Sequence, residues 1–434
     1  MKVNLCCILV FFGLYTGTSV SSFAQNNLHV LNLETVLKLS GANNLVIKEY
    51  IRKQELVMAN AQRAQEWWLP DFYAGTTIHQ LWGSAMNGDG NFFQSVNRQN
   101  FWAGLGINAS WDFGQGIFTK NAAQLKVQAS AHETQAKKNT AILNTIHIYY
   151  DFLEAQLQYK AYSNLLKQAE TISKQIKIRV DAGLQFESEF LIAQSNNNHL
   201  KIEMLQAKTA YSNWSAKLVS VLNLDPTISL LASDSILAPI RLNDTDSLLA
   251  LDSIHSKRPE IKSVHFQLKS IKEEKKTVTN ALYIPELRLG TYGSMFGDVF
   301  SPLNPTGEVN AALIWRIPAG KINNGGAVQQ YDARIAIKEN KIDQIKAQIN
   351  EEVLRAKNQL QISEEQINIS NEGKEFALKA LDQCILRQKS GTVRPFELLQ
   401  VQEVFIKSQL DYLNAITKFN KAQYALFVAI GNNL

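Results

Sequence analysis

Two glycines spaced as Gly104-x-Gly106, with Ala109 three positions on, match in outline a loop that cradles a dinucleotide pyrophosphate. Such a loop follows a strand and opens a helix. Here both glycines fall inside an alternating pattern, and Trp111-Asp112-Phe113-Gly114-Gln115-Gly116 intervenes before any helix. They read instead as small residues on one face of a strand. The 7 His are scattered, with no pair at ligand spacing. Asn87-Gly88-Asp89-Gly90 has turn chemistry and marks the tip of an exposed loop rather than a calcium site. No Ser has the context of a nucleophile elbow. Cys384, on a helical face, reads as a packed small side chain. The expectation is a protein without catalysis, metal or cofactor. With 44 basic against 39 acidic residues, a net charge of +5 and no basic block, a nucleic-acid partner is not expected either. At 45% hydrophobic and 19% charged, the 434 residues are too apolar for a disordered chain.

The N-terminus is an address. Lys2 precedes an apolar stretch, Leu5 to Tyr15, and Ser22-Phe23-Ala24 puts small residues at the two positions that matter before a cut. Residues 1–24 therefore read as a secretory signal, cleaved after Ala24 or one residue later. Cys6 and Cys7 leave with it, so the mature chain holds one thiol and no disulfide. Beyond the signal no apolar run approaches 18 residues, which argues against membrane-spanning helices.

The chain says the same thing twice. Gly183, Glu189, Leu191 and Gln194 recur 208 positions later as Gly391, Glu397, Leu399 and Gln402. Pro70, Gly75 and Thr76 recur 215 positions later as Pro285, Gly290 and Thr291. Trp111 and Trp315 form a third pair. Residues 25–222 are thus a first unit, 246–434 a second, and 223–245, with Pro226 and Pro239, a linker. Each unit opens with a helix, Glu34 to Trp68 or Asp246 to Tyr283, stopped by proline. Two strands follow, then a proline-free helical stretch, about 117–182 or 327–390. Leu143, Ile146, Tyr150, Leu153 and Leu157 are spaced by 3 and 4, as are Ile342, Ile345 and Ile349; Ile335 lies one heptad earlier. That spacing is a coiled-coil seam. At about 1.5 Å per residue each stretch makes a rod of about 100 Å. Gly183 and Gly391 end the rods. A last helix returns over about 187–222 or 395–430.

The strands decide the environment. Alternate residues Phe101, Ala103, Leu105, Ile107, Ala109 and Trp111 make one wholly apolar face, against Trp102, Gly104, Gly106, Asn108 and Ser110 on the other. Strand 71–82 places Phe72, Ala74, Thr76 and Ile78 together. Leu287, Leu289, Thr291 and Met295 share a face, opposite Glu286, Arg288, Tyr292 and Ser294. Val309, Ala311, Leu313, Trp315 and Ile317 share another. Runs of about ten residues cross a bilayer as tilted strands, with aromatics near their ends. Four strands cannot close a barrel, and open edges cannot face lipid. Lipid-facing strands would therefore be pooled between chains, and three chains give twelve.

The Leu31-to-Lys48 opening, the Trp67-Trp68-Leu69-Pro70 helix stop, the Trp111-to-Gly116 strand end, the duplicated element order and the Gly391-to-Ala415 segment together resemble the TolC-type outer membrane efflux family. The resemblance covers the whole mature sequence. It implies a homotrimer in the outer membrane, extending into the periplasm. Each chain would combine α and β parts: four transmembrane strands contributed to a twelve-stranded β-barrel, and long coiled-coil helices forming a periplasmic α-barrel. It implies three further partners: outer-membrane lipid, a periplasmic membrane-fusion adaptor and an inner-membrane pump. It places Phe101, Leu105, Ile107, Trp111, Leu287, Leu289, Leu313 and Trp315 on lipid-facing strands. Glu397 falls at an acidic position of the periplasmic entrance, with Glu189 as its repeat equivalent. Gln400 stands where the family often has a second carboxylate, and Arg394 or Lys389 is a candidate partner for Glu397. The rod tips Gly183, Leu184, Gly391 and Thr392 are the expected adaptor contacts. The competing expectation is a secreted or periplasmic coiled-coil spacer with a small soluble sheet. No residue names the cargo or the class of pump.

Overall fold

The computed structural model describes residues 28–234, 237–242, 251–298, 302–316, 320, 325–390 and 395–434. The chain runs β1 (Leu28–Leu31), α1 (Leu33–Asn43), α2 (Leu45–Gln65), β2 (Asp71–Met86), β3 (Phe92–Asp112), α3 (Phe113–Asp181), α4 (Glu187–Val221), β4 (Ser229–Ala232), α5 (Leu251–Lys257), α6 (Pro259–Lys275), β5 (Glu286–Gly297), β6 (Asn304–Ile314), α7 (Gly326–Lys389) and α8 (Pro395–Ala429). The predicted secretory signal lies outside the described residues. Among those described, no helix is long and apolar enough to cross a membrane.

The rods are α3 and α7, of 69 and 64 residues. The rise of an α-helix makes them about 104 and 96 Å long. The predicted seam holds. Ile146, Tyr150, Leu153 and Leu157 are buried with Tyr149 and Phe152 in the largest core, and Ile342 and Ile349 are buried on α7. Two predicted helices are each broken. Asn44 ends α1 and caps α2, its Oδ1 accepting from Val46 N at 2.9 Å. A side chain that satisfies the free amides of one helix in this way starts a new one. Pro259 occupies the first turn of α6, where its missing N–H costs nothing, and so separates α5 from α6.

The 223–245 segment does more than link. Its strand β4 pairs in parallel with β1, Leu28 against Ser229. Leu230, Ala232 and Leu237 are buried in the core around Tyr149 and Phe152. Gln156 of α3 clasps Ala232 through both backbone bonds, at 2.8 and 3.1 Å. The segment thereby belts the middle of the rods.

The second sheet is antiparallel, in the order β2-β3-β5-β6. β2 and β3 have 16 and 21 residues, longer than expected, whereas β5 and β6 have 12 and 11. The extra length forms a ribbon closed at Asn87–Asn91, where Asn87 Oδ1 accepts from Asp89 N and Asn91 N. The sheet grows directly out of α3. Asp112 caps that helix, its Oδ1 accepting from Gln115 N at 2.8 Å. Trp111 Nε1 donates to Trp68 O at 2.6 Å, and the Trp67 ring lies where a Cβ on Gly116 would have to go. The Trp-Trp helix stop and the Trp-Asp-Phe-Gly-Gln-Gly strand end are two halves of one clamp.

Candidate functional site

Register turns four separate alternations into two walls. Ile107 pairs with Phe72 on one side and Thr291 on the other, and Thr291 pairs with Val309. Directly opposite residues of antiparallel strands share a face. Phe101, Leu105, Ile107, Trp111, Leu287, Leu289 and Leu313 therefore lie on one side. In the isolated chain Leu105 is 69% and Val309 81% exposed. The ten steps from Phe101 to Trp111 span about 33 Å along the strand, or about 25 Å at a tilt near 40°, the height of a lipid-facing band. Trp315 departs from expectation. β6 ends at Ile314, so Trp315 follows the strand rather than forming part of it. There Arg316 turns its guanidinium toward Glu286, on the opposite wall. Ile317 lies outside the described residues.

The glycines show which wall is concave. A Cβ on Gly104 would meet Gly293 O and Ser294 Cβ at 2.5 Å, and one on Gly106 would enter the Tyr73 ring. Gly293, facing the other way, has nothing within 4 Å, and Gly307 meets only Tyr292 O at 3.9 Å. The crowded side is the polar one and the open side the apolar one. The sheet therefore curls with Asn108, Glu286, Arg288, Glu308 and Asn310 inside. Near the helical end of the inner wall Glu286 is a hub, accepting from Ser110 Oγ at 2.5 Å and from Arg288 Nε at 2.8 Å.

The far tips are built from the other ends of the rods. Gly183 adopts φ 71°, a left-handed conformation that glycine takes without strain. Leu184 N reaches back to Arg179 O at 2.8 Å and closes the α3 terminus, leaving the Leu184 side chain 75% exposed. Ala193 of α4 and Leu398 of α8 share one cluster with Ile172, Ile176, Leu381 and Cys384. The first turns carrying Glu189 and Glu397 thus lie at the same end of the molecule. Glu397 pairs with Arg387 of α7 at 2.9 Å. Arg387 was not among the expected partners. The side chains of Arg394 and Lys389, and all of Gly391 and Thr392, lie outside the described residues. Glu189 makes no ion pair among the described residues. Gln400 is exposed. Burial raises the Cys384 thiol, as a packed cysteine requires.

One feature of the tips was not legible in sequence. Gln402, 1% exposed, lies between Leu398 of the tip cluster and Ile406 of a second cluster with Leu165, Leu166 and Leu200. Asn197 lies between Ala193 and Leu200, and Ser173 beside Ile172. Both Gln402 amide atoms, Asn197 Oδ1 and Ser173 Oγ are buried without a partner among the described residues. A polar layer therefore separates two apolar ones. The repeat pairing of Gln194 with Gln402 was visible; the meeting of three helices at that level was not. Among the described residues no group of three His, Cys, Asp or Glu is placed to hold a metal.

The model of the outer membrane efflux protein family matches residues 36–224. The fold extends the likeness through the second unit. The Campylobacter jejuni CmeC outer membrane channel superposes with a TM-score of 0.79 at 16% identity, covering 92% of this chain and 85% of that one. Residues 36–224 match the outer membrane efflux protein family, and the chain as a whole shares the fold of such channels. Two further similarities lie within the efflux fold or close to it in sequence. The open state of the Neisseria gonorrhoeae MtrE outer membrane channel has a TM-score of 0.75 at 16% identity, covering 92% of this chain and 89% of that one. Protein CyaE of Bordetella pertussis is 23% identical over 339 residues, 75% of this chain and 70% of that protein. The family model stops at residue 224, and beyond it the likeness is one of fold.

Proposed function

We propose that three copies of this chain form a passive, gated exit duct across the outer membrane, the last part of a tripartite efflux or secretion system. The observation that carries this reading is the four-stranded sheet. Its convex face is apolar from edge to edge, and β2 and β6 remain open edges. In lipid such edges must be paired. β6 of one chain meeting β2 of the next closes twelve strands around a polar interior. CmeC and MtrE, outer membrane channels of similar fold, support the same reading.

The tips receive the partners. Leu184 and Gly183, with Gly391 and Thr392 of the second unit, contact a periplasmic adaptor, which links the duct to an inner-membrane pump. Glu397 and Glu189 ring the entrance in three copies, with Gln400 and Arg394 beside them. Carboxylates so placed favour cations. The Arg387–Glu397 pair holds α7 to α8 at rest, and dilation parts them. The duct does no chemistry, and the pump supplies the energy.

Membrane fractionation followed by light scattering of the detergent-extracted particle tests this. The expected result is a trimer from the outer-membrane fraction that conducts in a planar bilayer. A soluble monomer overturns the duct in favour of a periplasmic spacer.

A further inference from the structure

We infer that the inner wall of the sheet carries a contact site for flat, cationic organic cargo, formed by Tyr73, Trp102, Tyr292 and Glu308. The inference rests on the duct reading and adds a substrate class to it. Register brings the residues together from four strands. Tyr73 stands opposite Gly106, Gly106 opposite Tyr292, and Tyr292 opposite Glu308, in one row across the wall. Trp102 lies two rows away, its ring edge-on to Tyr292 with centroids 5.9 Å apart and planes at 76°. The row between is Gly75, Gly104, Ser294 and Thr306. Glycine there leaves a shallow bed between the rings, since any side chain on Gly104 would collide with Ser294.

Two properties of this strip suit a ligand rather than a wall of water. Aromatic faces attract cations, most strongly where water is partly excluded. The Glu308 carboxylate accepts from the Tyr292 hydroxyl and so sets a negative charge at the edge of the strip. Phe296, directly opposite Trp102, extends the aromatic surface by one more ring. A planar cation would lie over the glycine row with its rings against Trp102 and Tyr292 and its charge toward Glu308.

Single-channel recording of the full-length trimer, with methylene blue (a flat aromatic cation) added, is the test. Naphthalenesulfonate serves as an anionic aromatic probe and tetramethylammonium as a cation without rings. Methylene blue should interrupt the current, with dwell times shortened about tenfold by Trp102→Ala or Tyr292→Ala. Trp102→Phe, which keeps a ring should Trp102→Ala fail to assemble, should retain most of the dwell time. Glu308→Gln should shorten it while leaving naphthalenesulfonate unaffected. A conducting trimer that shows no interruptions, or equal ones in the wild type and Glu308→Gln, overturns this site and leaves the duct standing. A folded trimer without conductance overturns the duct and the site together.

Discussion

At Gly106 a single hydrogen in place of a side chain decides how closely β2 approaches β3. The Tyr73 ring occupies the space that any Cβ would need. Gly106→Val should therefore destabilise the sheet by about 1–3 kcal/mol, the usual cost of overpacking. Heat resistance of the assembled particle on gels reads this out. Gly293→Ala, on the open side, should leave it unchanged. Glu397 belongs to the opposite regime. Its bond to Arg387 joins two half-exposed side chains, so Glu397→Gln should cost under about 1 kcal/mol of stability. Its effect should appear instead in reversal potential, as a fall in cation preference in a salt gradient. Both residues were visible in sequence, one as a strand glycine and one as a repeat anchor. Their partners were not, because Tyr73 and Arg387 reach them through register and helix packing.

At the scale of the element, the same helices carry a weak layer and a pH-sensitive one. Gln402, Asn197 and Ser173 interrupt the apolar packing of α3, α4 and α8 just above the tips. Buried amides without partners are costly. Gln402→Leu should raise thermal stability and lower the frequency of channel opening; stability without any change in opening would make the layer a mere defect. Higher on α3, His147 Nε2 has no partner among the described residues, and burial, followed by the nearby Lys421, holds its imidazole below the ordinary value. Asp151 opposes this shift without reversing it. A lowered folded value means that the unfolded chain takes up the proton first. Stability from this group is complete above about pH 6.5 and falls as the pH drops through the folded value. His147→Gln should flatten a melting profile measured between pH 7 and 5. Rods, seams and strands were legible because each follows from a local period. The break at Asn44 and the pairing of β4 with β1 were not, since one depends on a cap and the other on a strand some 200 residues distant in sequence.

For the whole molecule, the surface itself argues for partners. The chain exposes 27680 Å². A compact monomer of 48.7 kDa would expose about 17,000 Å². The long rods and the open sheet account for the excess, and their flanks are the surface that an assembly would cover. Leu105→Arg probes its membrane part. Placed near the midplane of a lipid-facing strand, the charge should cost about 2–4 kcal/mol and sharply lower the yield of outer-membrane trimer. A full yield would mean that this face does not meet lipid.

The unequal hairpins have a consequence for the outside of the cell. β2 and β3 continue together past the point where β5 ends at Gly297, so the ribbon rises above its neighbours as a two-stranded post. In the proposed trimer, a threefold ring of such posts would make a crenellated rim, with each Asn87–Asn91 tip standing clear. That tip is the natural place for an antibody epitope or an inserted tag. It should be the first bond cut when intact cells meet a protease, and the cut should leave the barrel below it assembled.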